Sequence, residues 1–330
     1  MKHRRRHAET RWLYNLLPSS VRRTLAGVSF GISIGVAGTL VLIGIEDKGS
    51  ETDRHAPKPL NHTSLKQNNL PYHEALRYGV PSNSNVYVRS GYVVSYDYRT
   101  RNASWVMEYL TQDALRIKHE TNRANSKFAV DCDIPEQFRV NPKLYHNSGY
   151  DKGHLVPARD MSHSQKAMDE SFFMTNMSPQ IGLGFNRDYW ARLEGFVRHL
   201  TSQYDAVYVI TGPLFLPKKN KKRGGYMVSY SVLGDPPDAV AIPTHFFKEH
   251  GNGFATAGFI LPNKIISENK SLRDFQVPLN VIEKQAGLLF FNKVLALSKK
   301  LHSSAKVELC SEIKCSLAAV YRQTSSKVGK

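Results

Sequence analysis

A histidine at position 154 lies in a short segment, residues 149–158, whose composition suits phosphate chemistry. Lys152 supplies a positive charge two residues earlier, Gly153 allows another group to approach closely, and Pro157 would end a strand. Phosphodiester hydrolysis needs a base that deprotonates water and a cation that offsets the charge on the phosphate. Histidine suits the first role because its ordinary pKa lies near neutral pH. A lone histidine is more often structural, so it is the neighbouring residues that favour catalysis.

A second segment, residues 175–194, offers oxygen ligands for a metal ion. Asn186 lies where an amphipathic helix begins, and an asparagine in that position could simply be the helix N-cap. Asn186 is, however, seven residues before Leu193 and therefore close to the apolar face, where an uncommitted amide is costly. A hard cation would accept the amide oxygen. Glu194 lies two turns further on, rotated by about 80°, and could reach the same cation through water.

The elements that must position these residues follow from hydrophobic periodicity. Runs rich in Val, Ile, Phe and Tyr predict strands over residues 92–98, 206–210, 226–233, 239–247 and 254–261. Helical spacing predicts helices over residues 103–115 and 187–203. Trp105 and Trp190 are therefore expected on helices and in the core, and His245 is expected to be a structural residue of a strand. Because strands and helices do not alternate strictly, the order favours an α+β fold over a doubly wound sheet.

Charge points to a polyanionic partner. The 330 residues carry a formal net charge of +17, with 41% hydrophobic and 10% aromatic residues. This apolar content is that of a chain with a packed core, which excludes a largely disordered protein. Solubility alone could explain a basic surface, but a basic body also favours nucleic acid or anionic lipid.

The N-terminus predicts an address and an anchor. Residues 1–23 carry seven basic residues and one acid, in a pattern typical of a basic amphipathic mitochondrial targeting segment. Residues 24–45 contain no charge and are long enough for a transmembrane helix. The positive-inside rule then places the folded part across the inner membrane, in the intermembrane space. Residues 46–76 are predicted as a linker, 77–299 as the catalytic domain and 300–330 as a basic tail.

Two further features leave alternatives open. Cys310 and Cys315 could pair in an oxidising compartment, although two free thiols are favoured because only three cysteines are present. The second feature is a basic cluster that could track phosphates, act as a nuclear-import signal or be a solvated hairpin loop. Its residues are Lys218, Lys219, Lys221, Lys222 and Arg223.

The motifs resemble those of the DNA/RNA non-specific endonuclease family, in particular its mitochondrial endonuclease G branch and the fungal members. The resemblance extends through the whole region between linker and tail. It rests on RYGVP (77–81), SYDYRT (95–100), GYDKGHLVPA (149–158), SQKAMD (164–169), TNMSPQ (175–180), FNRDYWARLE (185–194), TGPLFLP (211–217) and PTHFFK (243–248).

The resemblance implies a ββα-metal fold, in which two strands and a helix hold one Mg²⁺ or Mn²⁺. By position, His154 corresponds to the general base, Asn186 to the direct metal ligand and Glu194 to a residue that holds a metal-bound water. Asn176 matches a polar residue that helps to orient the histidine, and Arg123 matches a more distant phosphate-contacting arginine.

The resemblance also implies a product, an assembly and a biological setting. The products would be 5′-phosphate and 3′-hydroxyl ends of DNA and RNA, and the enzyme would be a homodimer. Degradation of DNA in cell death, with relocation to the nucleus, or turnover of mitochondrial DNA would be its setting.

The chain departs from the family at one catalytic position. The family signature is Asp-Arg-Gly-His, whereas Lys152 occupies the second place here. Lysine keeps the positive charge but lacks the planar fork that binds two phosphate oxygens. Two other functions therefore stay open: a weakened nucleic-acid-binding or membrane scaffold, and a membrane-bound lipid phosphodiesterase.

Overall fold

The computed structural model describes residues 73–116, 121–251, 255–291 and 307–317. The predicted targeting segment (1–23) and membrane span (24–45) lie outside these ranges, and so do most of the predicted linker and part of the predicted tail. Within the described ranges, no helix is both long enough and apolar enough to cross a membrane. The fold is that of the compact unit that begins at Pro71.

The described part of this unit is built from short strands and few helices. The strands are β1 (Val86–Val88), β2 (Tyr92–Asp97), β3 (Asn102–Leu110), β4 (Tyr150–His154), β5 (Met177–Ile181), β6 (Val207–Leu214), β7 (Lys218–Lys219), β8 (Tyr226–Met227), β9 (Val232–Leu233), β10 (Val240–Ala241), β11 (His245–Gly251), β12 (Ala255–Pro262), β13 (Gln276–Val277) and β14 (Val307–Glu308). The helices are α1 (Gln165–Glu170), α2 (Ala191–Leu200), α3 (Leu279–Ala286) and α4 (Leu309–Glu312).

An eight-stranded sheet forms the centre. Its order is β1-β2-β3-β6-β11-β12-β13, with antiparallel neighbours, and β14 adds in parallel to β12. Three antiparallel pairs lie outside it, namely β4 with β5, β7 with β8, and β9 with β10. Strands and helices are mixed without βαβ alternation, so the predicted α+β class is confirmed.

Both faces of the central sheet are covered. All eight residues of β6 are buried, and neighbouring residues of β11 point to opposite faces. Phe246 packs against Phe185 and Trp190, on the side that α2 covers. Phe247 packs against Phe290, which follows α3. Helix α2 is therefore held rigidly on the sheet by its apolar face, with its other side available to a site.

The predicted helix over residues 103–115 is wrong. The segment forms β3, which pairs with β2 and β6 in the middle of the sheet. Both faces of β3 are covered, and its polar residues Asn102 and Glu108 are buried as well, so polarity does not mark a solvent-facing side along this strand. Trp105 is accordingly a strand residue and not a helix residue. Both Trp105 and Trp190 are buried, as predicted.

The other strand and helix predictions hold in part. Strands predicted over 92–98, 206–210 and 254–261 are confirmed as β2, β6 and β12. The run 239–247 is divided into β10 and β11 around Pro243, which has no N–H for a ladder. The run 226–233 forms only β8 and β9. The predicted helix 187–203 is confirmed over α2, but its first turn belongs to a wider turn, Gly182–Trp190.

Part of the predicted tail is packed against the sheet. Cys310 and Cys315 form a disulfide, so the preference for two free thiols is wrong. Helix α4 brings their Cα atoms to 5.3 Å, and both cysteines are buried in the main core beside Leu309 and Leu317. This pairing depends on how the segment folds back on β12, which the spacing of the cysteines does not reveal. Cys132 is exposed and unpaired.

Candidate active site

One cleft collects most of the side chains singled out in the sequence. Its volume is about 720 Å³, and it lies between the β4–β5 pair, the turn Gly182–Trp190 and helix α2. The cleft brings together five of the predicted residues, which are Arg123, Lys152, His154, Asn186 and Glu194. These residues come from four separate segments, so it is the ββα arrangement that makes them neighbours.

His154 ends β4, and aromatic rings surround it. Its ring lies 4.8 Å from that of Phe172, edge to face, and 5.7 Å from that of Phe128. Burial and the nearby positive charge of Arg123 lower the pKa of His154 to about 3. Its Nε2 is buried without a hydrogen-bond partner in the described structure. The imidazole is therefore neutral at physiological pH, which is the form that accepts a proton.

Asn176 fixes the chain that follows His154, not the imidazole itself. Its Oδ1 accepts from the backbone N–H of Val156 at 2.9 Å, and its Nδ2 donates to the carbonyl oxygens of Val156 and Ser171. Asn176 is fully buried and does not line the cleft. Its contacts fit the predicted orienting role, exerted through the backbone at the end of β4.

Asn186 does not cap a helix. Its Nδ2 instead donates to Oδ2 of Asp151 on β4, at 2.9 Å. The same carboxylate accepts two hydrogen bonds from Arg187, at 2.8 and 2.6 Å. Bonds from Arg187 and then from Asn186 hold the pKa of Asp151 below its ordinary value. The carbonyl end of the Asn186 side chain makes no hydrogen bond within the described part of the chain, and Asn186 lines the cleft.

Glu194 lies in the first turn of α2 and lines the same cleft. Burial raises its pKa to about 7, while the positive charges of Lys248 and Arg198 act in the opposite direction. Arg198 is paired with the buried Asp160 at 2.8 Å. Lys248 is buried on β11, where its Nζ donates to the hydroxyl of Thr211. Buried cations from the helix and the sheet therefore partly offset the desolvation of this carboxyl group.

The donor set fits a hard divalent cation bound mainly through water. Within the described ranges, no three His, Cys, Asp or Glu side chains form a cluster that could hold a metal ion by themselves. Among the side chains that line the cleft, Asn186 offers an amide oxygen and Glu194 a carboxyl group. Oxygen ligands are those that Mg²⁺ and Mn²⁺ prefer, and Mg²⁺ commonly keeps several waters. The site suits such an ion better than Zn²⁺, which favours nitrogen and sulfur ligands.

Two cations lie on aromatic rings at the wall of the cleft. The Nζ of Lys152 is 5.0 Å from the ring centre of Phe128 and 5.7 Å from that of Tyr145. The guanidinium of Arg123 is 5.8 Å from the ring centre of Phe172. Ring faces attract cations, so these contacts hold both charges beside the space in front of His154.

The basic cluster after residue 217 lies away from the cleft. Lys218 and Lys219 form β7, which pairs with β8 in a small exposed hairpin. Within the described structure, none of the five basic residues lines the main cleft, although Lys218 lines a neighbouring depression that also touches Tyr150. The structure confirms that this cluster lies in an exposed hairpin, which is one of the predicted alternatives.

Sequence reasoning missed several contributors to the cleft. Asp151 and Arg187 were seen only as members of motifs, because a contact between a strand and a turn 36 positions apart has no local pattern. The sequence does not reveal the Arg198–Asp160 pair or the contacts of the Phe128 and Phe172 rings, for the same reason. One signal for Asp151 and Arg187 is present in the sequence. They have opposite charges, and they belong to two motifs that are expected to lie side by side.

The DNA/RNA non-specific endonuclease family matches residues 72–297 of the chain. A nuclease of Syncephalastrum racemosum is 46% identical over 240 residues, which cover 70% of this chain and 73% of that protein. Nuclease 1, mitochondrial, of Schizosaccharomyces pombe is 44% identical over 250 residues, which cover 73% and 74%. The solved structure of a complex of EndoG with EndoGI superimposes with a TM-score of 0.64 and 41% identity, covering 66% of this chain and 90% of that one.

Proposed function

Because this chain belongs to the DNA/RNA non-specific endonuclease family and is an endonuclease, we propose that it hydrolyses phosphodiester bonds in both DNA and RNA with His154 as general base and Asn186 as ligand of one Mg²⁺ or Mn²⁺. The observation that carries the proposal is the convergence of a neutral histidine, an amide oxygen and a carboxyl group on one cleft.

His154 takes the proton from the attacking water. Its aromatic surroundings keep the imidazole unprotonated, and Asn176 holds the backbone directly after it, so the ring has a fixed position at the strand end. General base catalysis by a positioned side chain contributes about 10²–10⁴-fold in rate. The loss of His154 should therefore remove most of the activity while leaving the fold intact.

Asn186 and Glu194 are the residues that would hold the cation. The amide oxygen of Asn186 would be its ligand, and the Glu194 carboxyl group would hold a water beside it. A divalent cation in this place offsets the charge on the phosphate in the transition state and on the departing 3′ oxygen. Cleavage of the bond between phosphorus and the 3′ oxygen leaves 5′-phosphate and 3′-hydroxyl ends.

Lys152 and Arg123 bind the phosphate backbone. Contacts to phosphate carry no sequence information, since every nucleotide of DNA and RNA presents the same group. The five basic residues of the β7–β8 hairpin extend this surface outside the cleft. The net charge of +17 supports such binding, which should weaken steeply as salt is raised.

Relatives named as mitochondrial support a mitochondrial location for this chain. Residues 24–45 would anchor it in the inner membrane with the catalytic domain in the intermembrane space, and release would allow relocation to the nucleus. We further propose a homodimer, with DNA degradation in cell death or turnover of mitochondrial DNA as the setting. Fractionation with N-terminal sequencing of the mature protein tests the location, and light scattering tests the assembly.

Digestion with and without metal tests the metal site. The full chain is incubated with supercoiled plasmid and with RNA in the presence of Mg²⁺, Mn²⁺ or a chelator, beside the variant Asn186→Ala. We expect both substrates to be cut only with metal, Asn186→Ala to be slower by at least about 100-fold, and the fragments to carry 5′-phosphates. Chelator-resistant cleavage, or an Asn186→Ala variant as active as the wild type, would reject the proposal.

The same preparation separates the two other functions. A scaffold that only binds nucleic acid would retain plasmid in a gel without cutting it. A lipid phosphodiesterase would release headgroups from phospholipid vesicles, which we expect the protein not to do. Lipid hydrolysis in the absence of nuclease activity would favour that alternative.

A further inference from the structure

The carboxylate of Asp151 joins the predicted metal ligand to an arginine outside the predicted site. Its Oδ2 accepts from Nδ2 of Asn186 at 2.9 Å and from Nε of Arg187 at 2.8 Å, and its Oδ1 accepts from Nη2 of Arg187 at 2.6 Å. We propose that Arg187 is a positioning residue, which fixes the Asp151 carboxylate so that the Asn186 side chain turns its carbonyl oxygen toward the cleft. This inference rests on the proposed role of Asn186 as metal ligand.

The direction of the Asn186 amide follows from the chemistry of its partner. An asparagine side chain has an accepting oxygen and a donating nitrogen, and its contacts decide which end faces which way. An ionised carboxylate only accepts hydrogen bonds, so the end of Asn186 that faces Asp151 must be the nitrogen. The oxygen is then the end left for a cation. A displaced Asp151 would allow the opposite orientation, with N–H groups facing the cation.

Arg187 is suited to hold that carboxylate still. Its two parallel hydrogen bonds define both the place and the plane of the acceptor, which one ammonium group could not do. The side chain of Asp151 is 19% exposed and that of Arg187 61% exposed, so the arginine covers the carboxylate from the solvent side.

The backbone on the other side of Asp151 leaves the carboxylate just enough room. A Cβ atom at Gly182 would lie 3.0 Å from Oδ2 of Asp151 and 3.1 Å from its Cγ. A glycine therefore stands where the wide turn passes directly over the carboxylate. Asp151 is thus confined between Gly182 and Arg187, and both lie in the turn that carries Asn186.

Two simpler roles for Arg187 predict other changes in metal affinity when the arginine is removed. If Arg187 only formed an exposed ion pair, its removal would leave the metal affinity almost unchanged. If Arg187 acted only as a positive charge beside a divalent cation, it would repel the cation, and its removal would make metal binding tighter. A positioning role predicts the reverse sign, because an unrestrained Asn186 presents its oxygen only part of the time. The sign of the change in metal affinity therefore separates positioning from charge.

Mn²⁺ binding without nucleic acid is the test. The full chain is titrated with Mn²⁺, and free Mn²⁺ is followed by its electron paramagnetic resonance signal. We expect Arg187→Gln to weaken binding about tenfold, as loss of a partner that orients a metal ligand commonly does. Arg159→Gln, which removes another exposed cation that lines the cleft, should leave the affinity unchanged or tighter. Gly182→Ala, which crowds the carboxylate while leaving Arg187 and Asn186 in place, should also weaken binding.

The outcomes separate this inference from the function on which it rests. If the wild type binds Mn²⁺, Asn186→Ala abolishes binding, and Arg187→Gln binds as tightly as the wild type or tighter, only the role of Arg187 is overturned. If the wild type binds no Mn²⁺, or Asn186→Ala binds it normally, the metal site itself is overturned. Melting temperatures of Arg187→Gln and the wild type within about 2 °C would show that a weaker affinity does not come from unfolding.

Discussion

At the scale of single residues, the cleft combines a histidine that is uncharged at neutral pH, the proposed base, with cations that lie on the same aromatic rings. Phe128 contacts both the imidazole of His154 and the ammonium group of Lys152, and Phe172 contacts both His154 and the guanidinium of Arg123. The rings desolvate the histidine and lower its pKa, while they stabilise the two positive charges that a phosphate would meet. The proposed base and the proposed phosphate contacts are therefore positioned by one pair of side chains.

Lys152 is the residue whose replacement should improve the enzyme. An arginine there would offer two parallel hydrogen bonds to a phosphate and would stack on Phe128 and Tyr145, where the ammonium group now lies. We expect Lys152→Arg to raise the turnover number severalfold in steady-state plasmid digestion. Lys143→Arg, at an exposed position outside the cleft, should change nothing; a turnover of Lys152→Arg at or below the wild-type value would show that the lysine is no handicap.

The sequence pointed to individual residues much better than to their contacts. His154, Asn186 and Glu194 could be selected because base and ligand chemistry leaves few residue types to choose from, and the motifs concentrate them. Asp151 and Arg187 could not, because their partnership exists only once β4 and the turn 182–190 lie together. Asn186 shows how far the sequence can predict a side chain's role, because helix capping and metal ligation are equally compatible with its position in the sequence.

At the scale of elements, the site depends on how the β4–β5 pair and α2 are attached to the sheet. The two strands run antiparallel from Tyr150 opposite Ile181 to His154 opposite Met177. Helix α2 packs on the sheet through Leu193 and its apolar neighbours, and this fixes the distance between Glu194 and the end of β4. Periodicity predicted α2 because one of its faces is polar. It failed for β3 because the polar residues Asn102 and Glu108 of this strand are buried together with the apolar ones.

Strand β11 should make folding sensitive to acid. His250 is fully buried between Phe196 and Phe259, and burial together with Lys248 lowers its pKa to about 3. The unfolded chain, with a pKa near 6.5, binds a proton first, so the stability that His250 contributes is complete above about pH 6.5 and is lost as the pH falls toward 3. Between pH 7.5 and pH 5 this loss is about 2 kcal/mol.

Replacement of His250 by phenylalanine should remove that share of the acid sensitivity. Urea unfolding of the wild type and His250→Phe at pH 7.5 and pH 5.0 measures it. The difference in free energy of unfolding should shift by about 2 kcal/mol in favour of the variant on acidification. Equal losses in both proteins would mean that His250 does not titrate on unfolding.

At the scale of the whole molecule, the motifs identify the family of the chain. The packing of its C-terminal segment against the sheet is visible only in the structure. The order of strands and helices favours the α+β class, and the resemblance of the motifs to the endonuclease family implies a nuclease. The disulfide of Cys310 and Cys315 closes a short loop at α4, next to β14, which pairs with β12 far along the sequence from the motifs. Three cysteines in 330 residues favour free thiols over a disulfide, although the spacing of Cys310 and Cys315 allows one.

Loss of this disulfide should lower the stability without affecting the chemistry. Closing so short a loop contributes about 2 kcal/mol through the entropy of the unfolded chain. For a domain of this size we expect the variant with both Cys310→Ser and Cys315→Ser to melt about 5 °C lower by calorimetry. Cys132→Ser should melt with the wild type, and a double variant that does so as well would show that the crosslink has no structural weight.

The central claim is that His154 is the base that makes this endonuclease work. Its most direct test is the rate of plasmid and RNA cleavage with Mg²⁺ for the wild type, His154→Ala and the control His199→Ala, whose histidine lies on α2 outside the cleft. We predict that His154→Ala loses at least about 100-fold on both substrates, while His199→Ala stays within about twofold. Wild type and His154→Ala cutting at equal rates, or neither cutting at all, would contradict the account.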